Sequence, residues 1–275
     1  MTDYIGRKVV RVGSVFVVKY GHTVEELEAE TMLFVKRATS IPVPEVYAAY
    51  RDDENGMFYI IMEYIPGTTL LEAWPTLSDG QKSNITRVLK NYSAQIRNLP
   101  AQDYLGGVGK RHMPNGIFWS GGEDAKDIRI NGPFDNEAQF NEALALKSDL
   151  IADANNYGSY KGPFYRRMLP KVLTGHPSVF THADFQRKNI VVRRLSGGEP
   201  SLNEESNETN GKETSFEVIL IDWEKAAWYP SYWEYCAASW AFRFEDDWDE
   251  WIEQVLDPCP VEYAWLTMIT NELWS

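Results

Sequence analysis

The segment Thr181–Val192, THADFQRKNIVV, places His182, Asp184, Arg187, Lys188 and Asn189 directly before a β-branched run. A second segment, Val218–Glu224, VILIDWE, is an apolar run that ends on a carboxylate, Asp222. Asp184 and Asp222 are 38 positions apart. They become neighbours if 189–194 and 216–222 pair as an antiparallel hairpin. The start of the first strand then lies about 5 Å from the end of the second. Two carboxylates and an amide oxygen meeting there form a hard-oxygen cluster. Such a cluster suits Mg²⁺, which keeps several waters and shares its shell with substrate phosphates. Burying two carboxylates together without a cation is costly. Asp and Asn also favour turns, so each residue taken singly has a local explanation. The set, with His182 at its offset, points to chemistry.

These segments need elements to hold them. Lys8–Gly21, KVVRVGSVFVVKYG, reads as two β-branched runs about Gly13-Ser14, a hairpin. A helix follows: Thr23 and Glu26 have capping-box spacing, and Val24, Leu27, Thr31, Phe34 and Val35 form one stripe. IPVPEVY (41–47) stops that helix, because a residue before proline avoids the α region. MFYIIMEYI (57–65) is a buried strand closed by Pro66-Gly67. Hairpin, helix and strand make a small α+β lobe over residues 1–65.

The remainder, 66–275, reads as mainly helical. Ser78 and Gln81 have capping-box spacing, ahead of the stripe Ile85, Val88, Leu89, Tyr92 and Ile96. A further helix opens in PFDNEAQFNEAL (133–144), and 106–122 is loop-rich without periodicity. Leu202 is the one aliphatic residue in 196–215, a composition too polar to order itself and expected to be a mobile hairpin tip.

The chain has 275 residues, 44% of them hydrophobic, and a net charge of −13. Such a field repels nucleic acid and anionic membranes and attracts cations, besides aiding solubility. The best apolar run is far too short to span a bilayer. The two cysteines, Cys236 and Cys259, give neither a disulfide framework nor metal-ligand spacing. Together with the absence of a basic-then-apolar leader after Met1, this predicts a cytoplasmic location.

His182-x-Asp184-x4-Asn189, followed after the hairpin by Ile221-Asp222-Trp223-Glu224, resembles the aminoglycoside phosphotransferase and choline kinase-like family, a branch of the protein-kinase-like fold. ILIDWEKAAWYPSYWEY is similar to the metal-binding segment of its fungal-type members, and VVKYG, EAETMLFV, IPVPEVY, MEYIPGTTLLEAW and GPFDNEAQFNEAL extend the likeness over most of the chain. The resemblance implies two lobes, a β-rich nucleotide-binding one (1–65) and a larger helical one (66–275) carrying catalysis and the acceptor. It implies ATP and Mg²⁺ as cofactors. Asp184 becomes the catalytic aspartate facing the substrate hydroxyl, Asn189 and Asp222 the metal ligands, and His182 a brace for the loop. Lys19, closing VFVVK, suits the α- and β-phosphates, although an edge lysine facing solvent has the same pattern. Periodicity leaves Glu28 and Glu30 equal as its helix partner; the resemblance favours Glu30. Backbone groups of Met62, Glu63 and Tyr64 are expected to bind adenine.

No GxGxxG is present, and Gly13-Ser14 is a poor substitute for one. Gln186 stands where protein kinases have lysine, and no Phe-Gly follows Asp222, which favours a small-molecule acceptor over a protein. The acids and aromatics beyond Asp222, among them Trp228, Tyr229, Tyr232, Trp233, Trp240, Trp248 and Trp251 with Glu234, Glu245, Asp246, Asp247, Asp249 and Glu250, either fill a core with a solvated acidic face or attract a cationic acceptor. The expected function is an ATP-dependent phosphotransferase acting on a small-molecule hydroxyl. The rivals are a kinase-like module that binds nucleotide without turnover and, less favoured, a protein kinase.

Overall fold

The computed structural model describes residues 2–4, 6–121, 127–156, 158, 160–195, 215–240 and 246–273. Its N-terminal part is an antiparallel sheet of five strands: β1 (Thr2–Tyr4), β2 (Arg7–Val12), β3 (Phe16–Gly21), β4 (Val46–Arg51) and β5 (Phe58–Glu63), in the order β1-β2-β3-β5-β4. The hairpin and the strand at 57–65 are present as the sequence predicts. β4 is an addition to the expected hairpin–helix–strand order. Its sequence, VYAAYR, carries strand formers in Val46, Tyr47 and Tyr50 but is short, mostly exposed and without an apolar–polar alternation to mark it.

Helix α1 (Glu26–Ala38) crosses this sheet and packs on β4 and on the turn after Asp222. Leu27, Thr31 and Val35 face the core as their spacing requires. The expected capping box at Thr23 does not form: the N-cap is Glu25, with no side-chain cap bond. Thr23 is instead packed against Gly6, where an added Cβ would lie 2.9 Å from its Cγ2. Glu26 and Glu28 in the first turn complement the helix dipole.

Past Pro66 the chain is largely helical, with α2 (Leu70–Ala73), α3 (Asp79–Arg97), α4 (Ile128–Asn131), α5 (Glu137–Ala154), α6 (Lys161–Val172), α7 (Trp233–Trp240), α8 (Trp248–Ile252) and α9 (Pro260–Leu273). The Ser78–Gln81 box does form and opens α3. Ile85, Leu89 and Ile96 on its inner stripe are fully buried, and each stabilises the lobe by about 1.5–3 kcal/mol. Small sheets lie between the helices and the N-terminal part. β6 (Thr68–Thr69), β8 (Ile190–Arg194) and β9 (Phe216–Leu220) form one, while β7 (Ser178–Thr181) pairs with β10 (Ala227–Pro230). β8 and β9 are antiparallel, with Ile190 opposite Leu220. The segment read as a mobile tip, 196–215, lies outside the described residues except for Ser215. A small N-terminal sheet with a larger helical part gives a mixed α+β, protein-kinase-like architecture. Among the described residues no helix is long and apolar enough to cross a membrane.

Candidate active site

The hairpin β8–β9 carries its ladder one step beyond the strands. Ile221 N donates to Asn189 O at 3.0 Å, and His182 Nε2 donates to Ile221 O at 3.2 Å. The 182–189 loop and the Asp222 segment are thus joined through backbone atoms, and Asn189 and Asp222 line one cleft of about 490 Å³ between the N-terminal sheet and β8–β9. Strand β9 ends at Leu220, two residues earlier than expected. Asp222 takes a left-handed conformation, φ 63°, which turns the chain into the short helix Trp223–Lys225. Aspartate tolerates that region better than most residues.

The loop 182–189 is held from behind. His182 is buried, and its Nδ1 accepts from Asp184 N at 3.3 Å while Nε2 donates to Ile221 O. Both ring nitrogens are engaged by the neutral tautomer, and burial lowers the histidine pKa against the pull of Asp184 and Asp222. Ala183 is left-handed, φ 61°, a conformation that costs a non-glycine residue about 1–2 kcal/mol. Glu234 on α7 holds it in place: its two carboxylate oxygens accept from His182 N at 2.6 Å and Ala183 N at 3.0 Å. Glu234 is 1% exposed, so it is no attractor for a cationic acceptor. Burial raises its pKa to about 7, opposed by the two amides and Arg97.

On this frame Asp184 is 2% exposed. Its Oδ2 accepts from Asn189 Nδ2 at 2.9 Å, and its Oδ1 accepts from Gln186 Nε2. Lys225 and Lys188 bring ammonium groups to 3.5 and 3.6 Å of Oδ2. The Asn189 amide nitrogen also donates to Asp184 O. With that nitrogen turned to Asp184, the amide oxygen is the atom Asn189 has to offer a cation.

A dense ion cluster bridges the N-terminal sheet and the turn at Asp222. Lys19 Nζ, on β3, lies 2.8 Å from Glu28, 2.8 Å from Asp222 Oδ1 and 2.8 Å from Glu224 Oε2. Arg7, the first residue of β2, also pairs with Glu224. The helix partner of Lys19 is therefore Glu28, which corrects the expectation of Glu30. Glu28 is buried on the core side of α1; Glu30, two positions on, points round the helix and pairs with Arg111 at 2.8 Å. Burial opposes the charge on Lys19, yet Glu28, Asp222 and Glu224 together hold its pKa above the ordinary value. Glu224 is opposed by burial too, but Lys19 and Arg7 bring it down to about 2. Glu28 takes the imbalance: burial, with Asp222 and Glu224 adding to it, raises it to about 7 despite Lys19. The oxygens of Glu28, Asp222 and Glu224 all lie within 4.8 Å of one another, and Lys19 Nζ is bound to all three.

Met62, Glu63 and Tyr64, whose backbone groups are expected to bind adenine, line the cleft. Two of their amides already have partners: Glu63 N donates to Glu45 O at 2.8 Å and Tyr64 N to Val15 O at 2.7 Å. Val9, Val17, Met62, Val191 and Ile221 line the same cleft and give it apolar walls beside the ion cluster.

Arg7, Glu224, Glu234 and Lys225 were not singled out for these positions by sequence reasoning. Period-two alternation offered a signal for Arg7, since Arg7 and Val9 share a face with Lys19. Glu234 stood out as an acid inside the apolar run YWEYCAASWA, which demands a buried partner. Asp246 and Asp247, read as attractors for a cation, are engaged by Arg187 at 2.6 Å and Lys82 at 2.7 Å. Trp228, Tyr229, Tyr232, Trp233 and Trp248 are core residues, and Glu245 lies outside the described residues.

A protein-kinase-like fold with a lysine-bearing strand, a helix glutamate and an Asp/Asn loop facing one cleft is the arrangement of phosphoryl-transfer enzymes. The chain belongs to the phosphotransferase enzyme family (APH), whose model matches residues 6–201. Among solved structures it is similar to aminoglycoside phosphotransferase APH(2'')-Ib with ADP bound, at 15% identity and TM-score 0.59, covering 100% of this chain and 79% of that one. It is also similar to APH(2'')-IIa in complex with gentamicin, at 13% identity and TM-score 0.57, covering 99% and 78%. A third is aminoglycoside 2'-phosphotransferase-IIIa in its GDP complex, at 13% identity and TM-score 0.52, covering 100% and 90%. No curated protein matches the sequence.

Proposed function

We propose that the protein transfers the γ-phosphate of ATP to a hydroxyl group of a small molecule. The observation that carries this is the meeting of Lys19, Glu28 and Asp222 in one ion cluster in an apolar-walled cleft that is also lined by Asn189, the hydrogen-bond partner of Asp184. Adenine would enter the cleft between Val17 and Val191, and the phosphates would run toward Lys19. Asp222 and the amide oxygen of Asn189 would hold Mg²⁺, which, when bound, neutralises the phosphate oxygens. Asp184 accepts the proton of the attacking hydroxyl, held in direction by Asn189 and Gln186. Lys188 and Lys225 stand beside it, so a transferring phosphoryl group would meet two ammonium charges. Residues 1–65 act as the nucleotide-binding lobe and 66–275 as the catalytic and acceptor lobe.

Support for a small-molecule acceptor comes from the family and from relatives whose solved complexes contain gentamicin. With Glu234, Asp246 and Asp247 already engaged by groups of this chain, the acids after Asp222 give less reason to require a cationic acceptor than their number suggests. The test is ADP release from ATP across a panel of aminoglycosides, amino alcohols and neutral polyols. Acceptor-dependent release from one class is expected. ATP binding without acceptor-dependent release across the panel would favour the non-catalytic module.

A further inference from the structure

The sequence has no glycine-rich phosphate loop, and the hairpin connections of the N-terminal sheet are short. Between β1 and β2 lie only residues 5 and 6, and between β2 and β3 only 13–15. Connections this short offer few backbone amides to curl round a triphosphate, and side-chain cations are left more of that work. Lys19 is one. The other that reaches the same point is Arg7. It shares the cleft-facing side of the sheet with Val9, Val17 and Lys19, since Val9 pairs with Lys19 and Arg7 is the next residue of β2 on that face.

Arg7 is paired across the cleft with Glu224, and the same Oε2 of Glu224 takes Lys19 Nζ at 2.8 Å. One carboxylate oxygen thus receives both a guanidinium and an ammonium, an arrangement suited to a phosphate oxygen. Glu224 is anchored for this by its neighbour Trp223, which is fully buried and donates Nε1–H to Leu220 O at 3.1 Å.

We propose that Arg7 is a ligand of the nucleotide's phosphates and that Glu224 is their place-holder, occupying in the free protein the position a phosphate oxygen takes on binding. This rests on the nucleotide reading of the cleft. Binding is then an exchange: the phosphates displace Glu224 from Arg7 and Lys19, and the two cations keep their places.

Calorimetric titration of the full chain with ATP and, separately, with adenosine, both in EDTA, tests this. Arg7→Gln is expected to weaken ATP by about tenfold to a hundredfold and to leave adenosine, which has no phosphate, unchanged. Arg7→Lys, a point charge without the planar fork, should fall between. Glu224→Gln, which removes the carboxylate charge that Arg7 and Lys19 share, should bind ATP more tightly than the wild type. Equal ATP affinity in wild type and Arg7→Gln would overturn the proposal. So would equal losses for ATP and adenosine, which would mark Arg7 as structural only, or weaker ATP binding by Glu224→Gln. A wild-type protein that binds neither ligand would instead remove the nucleotide reading itself.

Discussion

The two walls of the cleft are held together in opposite ways. On the Asp184 side the loop is fixed by bonds that involve the backbone: His182 and Ala183 amides on Glu234, Asp184 N on the His182 ring, and Ile221 on both Asn189 and His182. Around Lys19, where the sheet meets the Asp222 turn, the contacts are side chain to side chain among Lys19, Arg7, Glu28, Asp222 and Glu224. Backbone bonds cannot be traded for a ligand without unfolding the loop, whereas ion pairs can be exchanged for phosphate or a divalent ion. The first wall is preorganised for a reacting group, and the second is arranged to receive charge.

The sharpest way to separate the two walls is to remove Asp184. Asp184→Asn should lower acceptor-dependent ADP release by about 10²–10⁴-fold while changing ATP affinity little, because Lys19, Arg7 and Asp222, which are assigned to the phosphates and Mg²⁺, form their own cluster apart from Asp184. A large loss of ATP binding in that variant would mean that the two walls are not separate.

Glu234 tests the frame behind the loop. Glu234→Leu leaves two buried amides without an acceptor and should destabilise the protein by about 2–5 kcal/mol in urea unfolding. Its titration gives a second readout. Burial raises the folded pKa from 4.5 to about 7, so the folded protein holds this proton more tightly than the unfolded chain. The stability it contributes is fully present below pH 4.5 and is lost as pH rises through about 7. The stability difference between wild type and Glu234→Gln should therefore fall across that window. A difference that stays flat with pH would show that Glu234 does not titrate there.

The glutamates of α1 make the smallest and most local comparison. Glu30 and Arg111 form an exposed pair, so Glu30→Gln should change stability by no more than about 0.5–1 kcal/mol and leave ATP affinity alone. Glu28→Gln removes a buried partner of Lys19 and should shift ATP affinity measurably in the same calorimetric assay. Equal behaviour of the two variants would contradict the assignment of Glu28.

This pair also shows what the sequence could and could not say. Placements that follow from order along the chain were legible: the hairpin that brings residue 222 back beside residue 189, and the stripe and cap of α3. Choices between neighbours two positions apart on a helix were not, because 3.6-residue periodicity places both Glu28 and Glu30 near the edge of one apolar stripe. The choice is made in three dimensions, by Lys19 on a strand paired through Val9 to Arg7. The same holds for Glu234, whose partners lie 51 and 52 positions earlier, and for Thr23, whose capping spacing lost to packing against Gly6.

The most direct test of the cleft as a Mg²⁺–nucleotide site is ATP titration with and without Mg²⁺ in wild type and Asp222→Asn. Mg²⁺ should tighten ATP binding to the wild type and have little effect on the variant, while Mg²⁺-free ATP binds both. ATP binding by Asp222→Asn that Mg²⁺ strengthens as much as in the wild type, or no ATP binding by the wild type at all, would contradict it.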